Sequence, residues 1–223
     1  MEIDIKLNLD TNTVTIYEEV EYCKKAREIG INDFISSVLA AKEKSEDKRI
    51  ITLLSKELYG CKLIQSIIIN KKTSIYILDM PKHRDNMPLY KRFYTNIGVP
   101  HLIFAVYVTN NRMTRLKVKA LKDEVINEDT KLYRYPFSNV SGSVGNVCLG
   151  ANDLGKGILI NNSLYKVPSQ FFSMPNNFDS YSEQDNKKYL GYEELINYLK
   201  DKDFPEELLV ESNLTYSEWI DLL

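Results

Sequence analysis

Cys148 lies in the stretch of the chain best suited to bring a thiol close to another backbone. The run Asn139-Val140-Ser141-Gly142-Ser143-Val144-Gly145-Asn146-Val147-Cys148-Leu149-Gly150 belongs to the segment Pro136 to Gly157. That segment holds Gly142, Gly145, Gly150, Gly155 and Gly157, five of the nine glycines. Glycines on both sides of a cysteine let an extended peptide tail pass close, because no side chain blocks the approach. A thiolate is the nucleophile in exchange with a thioester, and a free cysteine with a pKa of about 8.5 is a few per cent ionised at pH 7. An isolated Val-Cys-Leu reads more often as a buried hydrophobic cysteine, so the loop context is what favours chemistry. Cys23 and Cys61 adjoin candidate core segments and read as inert.

The remaining composition narrows that chemistry. Three widely spaced cysteines fit neither a disulfide framework nor a paired-cysteine zinc site, and with only His83 and His101 no metal centre is expected. A histidine relay also has few candidates, since His101, beside an apolar strand, reads as a core or turn residue. No cofactor is implied. With 29 Lys+Arg against 31 Asp+Glu the formal charge is -2, which gives no electrostatic reason to expect a nucleic-acid or anionic-membrane partner. The 15 tyrosines and 8 phenylalanines therefore read as core rather than as a base-stacking surface. No apolar run reaches the roughly 18 to 20 residues of a membrane span, and Met1-Glu2-Ile3-Asp4 has neither the basic start nor the apolar stretch of a signal peptide. A cytoplasmic location is expected.

Around the loop the hydrophobic pattern predicts an α+β layout. Ile3, Ile5, Leu7 and Leu9 alternate with polar residues and turn at Asp10-Thr11-Asn12 into Val14, Ile16 and Val20, an N-terminal β-hairpin. Phe34, Ile35, Val38 and Leu39 follow at helical spacing behind Asn32 or Asp33. Ile50, Ile51, Leu53, Leu54 and Leu58, before Gly60, read as a second helix. Leu63 to Ile69 and Ile75 to Leu78 flank a turn at Asn70-Lys71-Lys72. Leu102 to Val108, the strongest strand signal, turns at Asn110-Asn111 into Leu116, Val118 and Ala120. The first is continuous and predicts a central strand; the second alternates and predicts a strand with one wet face. A short strand is expected around Leu132 to Tyr135, and order resumes at Ile158 to Val167 after the glycine loop. Tyr192, Leu195, Ile196 and Leu199 mark a helix with one buried stripe. A last helix opens with the capping-box pattern Thr215-x-x-Glu218 and is expected to bury Trp219 and Leu222. Residues 1-60 are expected to form a hairpin and helical elaboration packed on a core of 61-223, one compact domain overall.

The loop resembles the active-site segment of ubiquitin-conjugating enzymes, in which a His-Pro-Asn triplet precedes a short turn and a Gly-x-Val-Cys-Leu run. Asn139 falls on the triplet's asparagine, Gly145-Asn146-Val147-Cys148-Leu149 matches the cysteine run, and Phe137 and Ser138 stand in place of the histidine and proline. A closer resemblance is to the family of PRTRC system protein B and the related prokaryotic ubiquitin-conjugating-like family D. It runs through Arg84, Phe93-Tyr94, Gly98 to Val106, Thr130 to Phe137, the Asn139 to Gly150 loop and Phe171-Phe172-Ser173-Met174-Pro175. In that family the Phe-Phe segment leads to a histidine; here Asn176-Asn177-Phe178-Asp179 follows instead.

The resemblance implies a bacterial protein with a ubiquitin-conjugating-like antiparallel β-meander of four strands, flanked by helices, with the Cys148 loop beside it. It implies transthiolation: Cys148 accepts a ubiquitin-like protein from a ThiF-like activating enzyme and yields it to an amine of an acceptor protein. Asn139 would either donate its amide to the oxyanion of the tetrahedral intermediate, a role worth about 3 to 4 kcal/mol in a known hydrolase, or cap the loop through backbone hydrogen bonds. Asn146, Asn177 and Asp179 are accessory candidates; Asn177 and Asp179 would tune an acceptor amine or serve as turn residues. The departures at Phe137, Ser138 and the missing histidine suit a second reading. In it, a non-catalytic module of the same fold recruits a ubiquitin-like partner and Cys148 is structural. A third role, plasmid-partition contact with DNA, has only the company of PRTRC proteins behind it, and the acidic balance speaks against direct contact.

Overall fold

A computed structural model of the chain describes residues 3–20, 23–37, 49–150, 163–178 and 180–223. These fall into two units, Met1–Lys48 and Arg49–Leu223.

In the first unit, β1 (Ile3–Asn8) and β2 (Thr13–Val20) form the expected hairpin. The Asn8 side-chain oxygen accepts from the N–H groups of Asp10 and Thr11 at 3.0 and 3.2 Å and shapes its turn. A third strand, β3 (Cys23–Gly30), pairs with β2 and was not anticipated. Residues 31–37, here α1, are helical where helical spacing predicted it, while Val38 and Leu39 lie outside the described residues.

The second unit is built on a nine-stranded sheet. In chain order its first strands are β4 (Ile50–Leu58), β5 (Cys61–Asn70) and β6 (Thr73–Met80). A separate two-stranded hairpin, β7 (His83–Leu89) and β8 (Arg92–Val99), follows, and the sheet resumes with β9 (His101–Thr109) and β10 (Arg112–Leu121). The short strands β11 (Lys131–Tyr133), β12 (Val140–Ser141) and β13 (Asn146–Val147) come next, and β14 (Glu211–Thr215) pairs with β11. The main path runs β12-β13-β10-β9-β6-β5-β4, antiparallel throughout, with β11 attached to β10 as well. The expected four-stranded meander is thus the middle of a larger sheet, β5-β6-β9-β10. Its turns carry their own chemistry. Asn110 and Asn111 both take positive φ, 51° and 62°, as a two-residue hairpin turn that matches the strand twist requires.

Two element expectations are corrected. The segment of Ile50, Ile51, Leu53, Leu54 and Leu58 is the edge strand β4, paired with β5 from Ile50↔Ile68 to Leu58↔Cys61, and not a helix. Short apolar runs fit either period, and here the open edge of β5 supplied the backbone partners. The alternating strand β10 has no continuous wet face: Lys117 and Lys119 are buried with their apolar neighbours. One face of the sheet packs Phe104, Leu116 and Val118 against α2 (Lys166–Ser173) and α3 (Tyr192–Leu199); the other packs Ile103, Ala105 and Leu121 against α4 (Tyr216–Asp221). Burial on both faces explains the continuous run of β9, each fully buried Leu, Ile, Val or Phe there contributing about 1.5 to 3 kcal/mol.

The closing helices follow their sequence signals. In α3, Tyr192, Leu195, Ile196 and Leu199 are the buried stripe. In α4, Thr215 and Glu218 form the capping box, with Thr215 N–H donating to Glu218 Oε2 at 2.8 Å and Glu218 N–H to Thr215 Oγ1 at 3.3 Å. Trp219 is fully buried, whereas Leu222, expected inside, is 53% exposed: the last turn meets the sheet through its backbone, the Leu222 carbonyl accepting from Lys117 and that of Leu223 from Tyr107. None of the helices among the described residues is long and apolar enough to cross a membrane.

Candidate functional site

Cys148 follows directly on β13, at the outer margin of the sheet, and its residue is exposed. The glycine loop that carries it is a small ribbon: Val140 pairs with Val147, Ser141 with Asn146, and Lys117 of β10 with Asn146. Gly145 makes the ribbon possible. Its φ is +76°, its carbonyl accepts from Val118 N–H at 2.9 Å, and a Cβ placed on it would stand 2.0 Å from the Val118 carbonyl oxygen. The turn beside it is held by Trp219 of α4, whose indole N–H donates to the Val144 carbonyl at 2.9 Å.

Asn139 is the junction of the site. It is 9% exposed and adopts φ +68°, a left-handed conformation that Asn tolerates better than most residues. Its carbonyl accepts the N–H of Cys148 at 2.8 Å. Its side-chain amide donates to the Pro175 carbonyl at 3.0 Å and to Asn176 Oδ1 at 3.3 Å. The buried Ser138 hydroxyl donates to the Asn177 carbonyl at 2.5 Å. Asn176 passes the connection on: its N–H and side-chain amide donate to the Pro88 carbonyl at 3.0 and 3.1 Å, and its own carbonyl accepts from Tyr90 N–H at 3.1 Å. The cysteine loop, the segment after α2 and the tip of the β7–β8 hairpin are therefore one hydrogen-bonded body.

Aromatic rings back this body. Phe171 of α2 meets Phe104 at 5.5 Å and Tyr135 at 5.3 Å, which seats the helix on the sheet and aims Met174-Pro175-Asn176 at Asn139. Phe178 packs edge-on against Tyr90 at 5.2 Å and Tyr192 at 6.1 Å. Phe137, in the place of the triplet's histidine, faces inward, packed on Tyr135 and Phe204 and 1% exposed.

The structure joins Cys148 to Asn139 directly, and ties the backbone of Asn177 to Ser138, the residue before Asn139. Asn146 is exposed on the ribbon, with its amide beside Gly142. Asp179 lies outside the described residues, as does the side chain of Cys23. Cys61 is buried, and its thiol is pushed up to about 11 by burial first and then by Asp79 and Glu57. Cys61 lines a separate cavity of about 640 Å³ with His101, which is paired with Asp79 at 2.5 Å. His83 meets Phe172 and Asp85. Neither histidine has a described contact to the cysteine loop. No cluster of potential metal ligands is found among the described residues. Ser138 and Asn176 entered the sequence reading only as departures from the family pattern, and Tyr90 not at all; none was a candidate for the site. Asn176 and Ser138 had the weak signal of polar residues inside apolar motifs, and Tyr90 had none.

The profile describing prokaryotic E2 family D matches residues 47–212, most of the chain and all of this site, so the chain belongs to that family. No curated protein and no solved structure matches it.

Proposed function

We propose that this member of prokaryotic E2 family D carries a ubiquitin-like protein as a thioester on Cys148 and passes it to an acceptor amine. The observation that carries the reading is an exposed thiol on a ribbon whose shape is locked through Asn139, within a family of ubiquitin-conjugating type. In the first step the Cys148 thiolate attacks the thioester carbonyl on a ThiF-like activating enzyme; a new C–S bond forms and the enzyme's cysteine leaves as thiolate. In the second an acceptor amine attacks the same carbonyl, a C–N bond forms, Cys148 leaves as thiolate and the amine's proton passes to water or to a group of the acceptor. The family supports partners of the ubiquitin-like and activating-enzyme kinds in general, and the proposed reaction adds an acceptor protein.

Asn139 acts first as a positioning residue. Both hydrogens of its amide are engaged, and the longer bond, to Asn176 Oδ1, is the one that could be redirected to an oxyanion. Asn177, whose carbonyl accepts from Ser138, and Asn146, exposed on the ribbon, are accessory candidates, as is Asp179 from its place in the sequence.

A second reading, a binding module that recruits the ubiquitin-like partner without a covalent bond, is favoured by the inward-facing Phe137 at the histidine position. Incubation with a cognate ThiF-like activating enzyme, ATP and the ubiquitin-like protein separates the two. The conjugating reading expects an adduct cleaved by reductant, lost in Cys148→Ala and converted to a reductant-resistant oxyester in Cys148→Ser. No adduct, with an activating enzyme that loads its own thioester, leaves the binding module standing.

A further inference from the structure

Along the outer edge of β10 the pairing strands leave a gap: β13 meets it at Lys117 and β11 at Ala120. At this gap a cleft of about 360 Å³ opens between the glycine ribbon and residues 180–185. Lys119 lines it, 1% exposed, and among the described residues its ammonium has no hydrogen bond and no ion pair. That is costly, since a buried charge normally persists only when paired. The other groups of the lining are mostly donors. Arg134 uses one edge of its guanidinium on Asp185 at 3.1 Å, and the hydroxyls of Ser141, Ser143, Ser180 and Ser182 stand on the walls. Asp185 offsets the charge of Arg134, so Lys119 leaves the cleft with one net positive charge.

We infer that this cleft binds a compact oxyanion, a carboxylate or a phosphate group, with the Lys119 ammonium as its counter-charge. The volume exceeds that of a single oxyanion and leaves room for bridging waters, so it is the donor groups of the lining, and not its size, that select the ligand. A tetrahedral or planar oxyanion accepts several hydrogen bonds at once, which suits an ammonium, a free guanidinium edge and hydroxyls converging from three segments. The anion has two possible sources, free inorganic phosphate or an acidic side chain on an extended peptide. Because Ser141 and Gly145 belong to the ribbon that ends in Cys148, occupancy would stiffen the loop from its far end. The inference does not rest on thioester chemistry and survives its failure.

Titration of the full-length, isotope-labelled protein with inorganic phosphate, and separately with a blocked Ala-Asp-Ala peptide, tests it by amide chemical shifts at constant ionic strength. The expected result is saturable shifts at Ser141 to Gly145 and Ser180 to Ser182 with at least one of the two, none with chloride, and affinity weakened at least tenfold in Lys119→Met. Binding of the Asp peptide but not its Ala-Asn-Ala analogue identifies a protein side chain as the source; binding of phosphate alone identifies the free anion. Lys119→Met should melt no lower than the wild type in anion-free buffer, because it removes an unpaired buried charge. Absence of saturable shifts with both probes, undiminished affinity in Lys119→Met, or a lowered melting temperature for that variant would overturn the assignment.

Discussion

The backbone N–H of Cys148 donates to the carbonyl oxygen of Asn139 at 2.8 Å, so the residue that presents the thiol is fixed by the residue that also grips Pro175 and Asn176. One buried asparagine thereby ties the cysteine loop to the segment after α2, and its substitution separates backbone from side-chain effects.

Asn139→Ala should cost roughly 3 kcal/mol, from two lost hydrogen bonds of about 1 kcal/mol each and the strain of alanine at φ +68°. Asn139→Gly keeps the conformation without strain and should cost about 1 kcal/mol less. Urea denaturation measures both. Equal losses would show that the left-handed backbone matters little. A transfer rate cut up to about a hundredfold in both variants, despite their unequal stabilities, would mark the amide as an oxyanion donor.

Two glycines of the ribbon should respond differently to the same added methyl. Gly142 and Gly145 share φ values of +73° and +76°, but a Cβ on Gly142 finds its nearest neighbour at 3.7 Å and one on Gly145 strikes the Val118 carbonyl oxygen at 2.0 Å. Gly142→Ala is expected to lose only the left-handed strain, about 1 kcal/mol. Gly145→Ala must also break the β10–β13 contact and is expected to lose more than about 3 kcal/mol. Similar stabilities for the two would mean that the ribbon shifts freely against β10.

The cysteines should label in a clear order. Cys148 is exposed, whereas Cys61 is buried and pushed up to about 11, leaving on the order of one thiolate in a thousand at pH 8. Alkylation of the native protein, mapped by mass spectrometry, should mark Cys148 first, with Cys61 labelling rising about tenfold per pH unit towards pH 11. Faster labelling of Cys61 at neutral pH would count heavily against the site.

Lys119 gives a pH signature. Burial first, then Arg134, lowers its ammonium to about 8 from a free value of about 10.4, with Asp185 opposing. Between these values the unfolded chain binds more protons than the folded one, so stability gains as pH rises. The cost of the buried charge is fully present below about pH 8 and fades towards pH 10.4; its size is on the order of 3 kcal/mol. Lys119→Met should therefore exceed the wild type in stability at pH 7, in an anion-poor buffer, and converge with it near pH 10. A difference that does not change with pH would show that Lys119 keeps its proton in the fold.

What the chain alone determined is local or family-wide. The hairpin turns at Asn70-Lys71-Lys72 and Asn110-Asn111, the buried stripe of α3, the capping box at Thr215 and the glycine loop with Cys148 are all written in neighbouring residues, because turn conformation, capping and periodicity act over a few positions. Other features needed the assembled sheet. Ile50 to Leu58 is a strand because β5 offered an edge, not because its spacing excludes a helix. Lys117 and Lys119 lie inside because the closing helix and the loops cover a face that alternation assigned to water. The junction of Asn139 with Pro175, Asn176 and the hairpin tip at Tyr90 joins residues that no local pattern relates. Buried amides and carbonyls must find partners wherever the chain brings them, and only the tertiary structure decides which those are.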